Sequence, residues 1–92
     1  ESIENAGHRL AQEKLAAVIN NAGYNYLSPF EYAEDVPARQ MMEVNFFGLV
    51  RLSQACIPHL RRYAREHTGK TAKLINISSI GGLVGIPWEV FY

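Results

Sequence analysis

Two short apolar runs, each closing in a turn of small residues, constrain this chain more than any other feature. Leu15-Ala16-Ala17-Val18-Ile19-Asn20 leads into Asn21-Ala22-Gly23, and residues 72–78 lead into Ser79 and a glycine-rich loop. Runs of this kind are typical of parallel strands buried on both faces. Helical patterns precede the first run and separate the two. The order helix, strand, loop, helix, strand, loop predicts most of a right-handed βαβ unit in an α/β sheet. In such sheets ligands bind beyond the carboxyl ends of the strands. Both runs enter segments rich in Asn, Ser and Gly at that end.

The first helix is expected over residues 2–14. Ile3, Ala6, Leu10 and Ala11 recur at helical spacing, with Glu1 and Glu4 at its start and Lys14 at its end. Residues 24–35 read as a loop turning at Ser28-Pro29. A long helix is expected to begin near Pro37, a residue suited to a first helical turn. Met41, Val44, Gly48, Leu52 and Ala55 would share one face. Pro58 is expected to bend or end that helix, because it lacks an N–H and clashes with the preceding turn. Thr68-Gly69-Lys70 reads as a stop.

Composition narrows the function classes. The 92 residues are 48% hydrophobic and 20% charged, with a formal net charge of zero. That balance offers no electrostatic basis for binding nucleic acid or an anionic membrane surface. The basic cluster Arg61, Arg62, Arg65, Lys70 and Lys73 reads as a solvated helix end, where cations suit the helix dipole. Cys56 is the single cysteine, so no internal disulfide is available and a reducing, cytoplasmic setting is expected. No apolar run approaches the ~20 residues that span a bilayer. The first residues lack a signal-peptide pattern, and the chain reads as a piece of a longer protein.

Four segments carry candidate chemistry. Asn20-Asn21-Ala22-Gly23 is either an ordinary turn that exploits backbone freedom or a close-approach surface for a flat or phosphorylated ligand. Asn45 is a poor choice inside a helix flanked by apolar residues. It either bonds the backbone or holds a water at a site. Ser78 and Ser79 either cap a turn or present a hydroxyl at a strand end. Tyr92 alone reads as packing. Twelve residues separate it from Ser79, and a loop of that length can return a phenol to the strand-end hydroxyl. Such a pair can bind and protonate a carbonyl oxygen.

Other patterns fail. Gly82-Leu83-Val84-Gly85 is followed by Pro87 rather than a helix N-terminus, so it cannot cradle a phosphate as a dinucleotide fingerprint does. Asn76-Ile77-Ser78 matches a glycosylation sequon but lies in an expected strand. His8, His59 and His67 have no metal-ligand spacing.

Taken together, Asn20-Asn21-Ala22-Gly23 after a strand, Asn45 in a helix, Ser79 at the next strand end and Tyr92 beyond it resemble the short-chain dehydrogenase/reductase family. The likeness covers nearly all of the chain. The stretch from Ser79 to Pro87 is similar to members acting on hydroxysteroids and retinoids. The resemblance implies the middle of a single NAD(P)-binding, Rossmann-like doubly wound parallel sheet over residues 1–92. It implies hydride transfer between NAD or NADP and a small alcohol or carbonyl substrate. Asn45, Ser79 and Tyr92 would be three members of a catalytic tetrad. Asn21, Ala22 and Gly23 would line the adenosine side of the cofactor, with Ile77, Ser78 and Tyr92 at the nicotinamide side. A glycine-rich phosphate turn before residue 1 and a lysine four positions after Tyr92 would complete the set. The family also implies a homodimer or homotetramer.

Overall fold

The computed structural model describes residues 2–92. Glu1, expected at the start of the first helix, lies outside them. Helix α1 spans Ile3–Leu10 and β1 spans Ala17–Asn20. Helix α2 (Asp35–Met42) passes through a π-helical turn (Glu43–Gly48) into α3 (Leu49–Glu66), and β2 spans Lys73–Asn76. The two strands are parallel and in register from Ala17 opposite Lys73 to Asn20 opposite Asn76. This is the expected βαβ crossover.

Helix α1 starts where Ser2 accepts a hydrogen bond from the Asn5 N–H at 3.2 Å, satisfying one of the orphan donors of the first turn. It stops at Leu10, short of the expected Lys14. The guanidinium of Arg62 donates to the Ala11 and Glu13 carbonyls, each at 2.9 Å. Arg62 thus takes carbonyls that a longer helix would have bonded itself. One member of the basic cluster therefore joins α1 to α3 rather than facing solvent alone.

Pro37 sits in the first turn of α2, as expected. Helix α3 runs through Pro58 without ending, leaving the Gln54 carbonyl without its helical donor. The expected apolar face is displaced. Met41 is buried, but Val44 is exposed and the next buried positions are Ser53, Cys56 and Leu60. A π turn holds an extra residue, so the inward stripe slips by about one position after Met41.

The core is a small cluster of Val18, Cys56 and Leu60, joined by Leu10, Leu15, Leu52 and Ala72. Strand β1 packs through one face only, and all four residues of β2 are exposed. Val18 points at α3, while its neighbour Ile19 points the other way and is 60% exposed. The strands are therefore not covered on both faces, because every described helix packed on them lies on one side. The chain is a slab of 53 × 27 × 13 Å with a Cα radius of gyration of 16.6 Å. A compact globule of this length would have about 12 Å. Among the described residues no helix is long and apolar enough to cross a membrane.

Candidate functional site

A cleft of about 610 Å³ opens at the carboxyl ends of β1 and β2. Its walls include Asn21, Ala22 and Gly23 after β1, Asn45 in the π turn, Ile77, Ser78 and Ser79 after β2, and Tyr92. The eight residues for which the family resemblance implied catalytic or cofactor roles thus line one space. Met41, Phe46, Leu49 and Phe91 supply apolar wall.

The β1 side is held by amides. Asn20 is 6% exposed, and its Nδ2 donates to Ser53 Oγ at 3.1 Å and to Asn76 Oδ1 at 2.8 Å. One side chain therefore ties α3, β1 and β2 together. Beyond it, Asn45 clasps the backbone of Tyr24. Its Oδ1 accepts from the Tyr24 N–H at 3.0 Å, and its Nδ2 donates to the Tyr24 carbonyl at 2.7 Å. The asparagine that looked misplaced in a helix makes a two-bond contact with the loop. The π turn re-aims that part of the helix, a use such turns often have at functional sites. Gly23 eases that close approach, because a Cβ would stand 3.2 Å from Asn45 Oδ1, which would have to give by a few tenths of an ångström.

The β2 side is held differently. Ser79 Oγ accepts from the Gly81 N–H at 3.1 Å, so the capping role considered for it is present. Its own hydroxyl proton stays available to donate. Gly81 admits the tyrosine: a Cβ on it would stand 2.9 Å from both Tyr92 Cδ1 and Glu89 Oε2. Residues 88–92 dock on the loop after β1. The Ser28 N–H donates to the Trp88 carbonyl at 3.0 Å, Asn25 Nδ2 donates to Glu89 Oε1 at 2.5 Å, and the rings of Phe30 and Phe91 lie 6.2 Å apart. Asn25, Ser28 and Glu89 are the site-building residues that sequence reading missed. Nothing in their spacing signals the contact, which joins positions more than sixty residues apart.

Burial pushes the Cys56 thiol up, and the hydrogen bond and charge of Asp35 raise the Arg39 guanidinium. Among the described residues no Lys or Arg lines the cleft. Small side chains at Ala22 and Gly23, with apolar Ile77 and polar Ser78 opposite, fit the ring-bearing parts of a dinucleotide. A pyrophosphate would find no cationic partner among these walls.

The comparisons agree with this reading of the fold. The family model described as short chain dehydrogenase matches residues 2–92. A 3-ketodihydrosphingosine reductase of Bacteroides thetaiotaomicron is 40% identical over 81 residues, covering 88% of this chain and 28% of that protein. An L-fucose dehydrogenase of Mus musculus is 35% identical over 95 residues, covering 100% of this chain and 29% of that protein. The chain thus spans less than a third of the length of the curated relatives it matches. Among solved structures, a gluconate 5-dehydrogenase from Burkholderia cenocepacia in complex with NADP and tartrate has a TM-score of 0.81 at 27% identity. That match covers 98% of this chain and 34% of the other. An alcohol dehydrogenase from Thermococcus sibiricus, at 22% identity, shares the fold with a TM-score of 0.83 over 99% of this chain and 37% of the other. On the strength of that family match and the parallel βαβ unit that underlies it, the chain belongs to the short-chain dehydrogenase family.

Proposed function

We propose that the intact protein carrying this chain is an NAD(P)-dependent oxidoreductase that interconverts an alcohol and a carbonyl. The observation that carries this reading is the convergence of Asn45, Ser79 and Tyr92 on one cleft with Asn21, Ala22, Gly23, Ile77 and Ser78. Ser79 hydrogen-bonds the substrate oxygen through its free hydroxyl proton and stabilises charge developing there. Tyr92 gives that oxygen a proton in reduction and takes one in oxidation. A free phenol titrates near ~10, so this work near neutral pH requires nearby positive charge. The lysine implied four positions later is suited to supply it. The nicotinamide, when bound, donates or accepts the hydride. Asn21, Ala22 and Gly23 pack the adenosine side, and Ile77, Ser78 and Tyr92 the nicotinamide side.

The side chain of Asn45 is already committed to the Tyr24 backbone. Its part in the site is to hold the loop and, through its remaining polar capacity, a water. The bare sheet face and the exposed Val44 and Phe47 on the long helix support burial against further parts of the protein and a homodimer or homotetramer. The lone Cys56 suits the cytoplasm.

Tyr92→Phe in the intact protein tests the assignment. Turnover should disappear while cofactor binding, read by fluorescence titration, persists. A rate within about tenfold of the parent, roughly 1.4 kcal/mol of barrier, would sink it.

A further inference from the structure

We infer that Asn25 and Glu89 form a latch that positions Tyr92, an assignment that rests on the proton-transfer role proposed above. Glu89 stands at the junction of two consecutive turns: its N–H donates to the Ile86 carbonyl at 3.1 Å, and its carbonyl accepts from the Tyr92 N–H at 3.4 Å. A displacement of Glu89 is therefore passed directly to Tyr92. Among the described residues, the side chain of Glu89 is reached by one donor, Asn25 Nδ2. Its second oxygen and Asn25 Oδ1 are both buried with no hydrogen-bond partner. A buried acceptor that loses its only donor bears the full desolvation penalty, so this contact is intolerant of change.

A second observation points the same way. Trp88, immediately before Glu89, has a φ of +69°, a strained conformation for a bulky residue that persists only where its surroundings enforce it. The enforcing contacts are the Ser28 N–H on the Trp88 carbonyl and Asn25 on Glu89. Both come from the loop after β1. The reach of the latch to the phenol is visible at Gly81, where Glu89 Oε2 and the edge of the Tyr92 ring stand equally close to the point a Cβ would occupy. Glu89 and Asn25 are positioning residues, acting through Tyr92 rather than on the substrate.

The test is a charge swap in the intact protein. Asn25→Asp sets two carboxylates against each other and should lower kcat about thirtyfold, with the KM for the dinucleotide within about twofold. Glu89→Gln alone keeps an acceptor for Asn25 and should stay within about threefold of the parent. Asn25→Asp/Glu89→Gln rebuilds the hydrogen bond with the donor on the other side and should recover kcat to within about threefold. Amide exchange at Ser28, read by NMR, should speed up in Asn25→Asp and slow again in the double variant. A double variant as slow as Asn25→Asp, or Ser28 exchange indifferent to both changes, overturns the latch. Where Asn25→Asp does not fold, recovery of folding in the double variant is the same evidence, and failure of both to fold overturns it. A parent with no alcohol or carbonyl turnover whose Ser28 exchange follows the swap would retire the proposed reaction and leave the latch standing.

Discussion

The carboxyl ends of β1 and β2 face the same cleft but are secured in different ways. After β1, Asn20 bonds both Ser53 and Asn76, and Asn45 bonds Tyr24 twice. Those contacts join the turn to the strands and the long helix, the best-packed part of the molecule. After β2 the chain is open. Leu83 is 89% exposed and Trp88 61%, and the segment carrying Tyr92 returns to the body through a few contacts with residues 25–30. The lesson is a division of labour. The β1 end is a platform fixed by the core, while the β2 end carries the proposed reacting groups and depends on the platform's loop for its position.

The sharpest way to break this contrast is to add one methyl group on each side. Gly81→Ala would drive a Cβ to 2.9 Å from the Tyr92 ring and from Glu89 Oε2. We expect turnover in the intact protein to fall about a hundredfold, since misplacement of a reacting group by about 1 Å costs that much. Gly23→Ala meets the Asn45 side chain, most closely at Oδ1, 3.2 Å away, and the amide can yield by a few tenths of an ångström. A loss of about tenfold or less is expected there. Steady-state rates with saturating cofactor would read both. Equal losses at the two positions would mean that the two strand ends are equally rigid.

Stability should show the opposite bias. Asn20→Ala removes the one side chain that joins α3, β1 and β2, and leaves Asn76 Oδ1 without its donor. Asn20 Oδ1 is buried and unpartnered, so its removal recovers part of the cost. About 1–2 kcal/mol of net destabilisation is expected from urea unfolding of the intact protein. Ser79→Ala, which removes a partly exposed cap at the β2 end, should cost less than half of that.

The same contrast explains what could be read without coordinates. The βαβ unit was legible because strand period, crossover length and turn composition are local properties. The eight cleft residues were legible because they sit at strand ends or stand out as misfits, as Asn45 does in its helix. The helix face after Met41 was misread, since a π turn slips the stripe by one position and leaves Val44 outside. The strands were expected to be buried on both faces, but that takes a second layer of packing, and Ile19 lies bare. Asn25, Ser28 and Glu89 were invisible for another reason. Their value comes from meeting across more than sixty residues, and no local pattern encodes that.

A weaker effect tests the platform's interior. Burial raises the Cys56 thiol pKa above its ordinary value. The folded pKa is the higher one, so from about pH 8.5 upward the unfolded chain ionises first and stability declines as pH rises. Below that range the group contributes no slope. Comparing urea midpoints at neutral and alkaline pH for the parent and Cys56→Ala should show a shallower alkaline decline in the variant. Identical slopes would place the thiol in contact with solvent and weaken the picture of a sealed core beneath β1.

The smallest effect belongs to a pair that resembles the latch in geometry alone. Arg39 Nε lies 2.8 Å from Asp35 Oδ2, but the two side chains are 78% and 75% exposed. Water solvates both partners when they separate, so nothing is left stranded, and salt screens what attraction remains. Arg39→Ala should therefore leave the unfolding midpoint within about one degree of the parent, with or without added salt. The Asn25–Glu89 contact differs in burial rather than in length, because each partner keeps an oxygen that water does not reach. A large effect at Arg39 would mean that hydrogen-bond length, not desolvation, governs these contacts, and the claim that burial makes the Asn25–Glu89 contact intolerant of change would lose its physical basis.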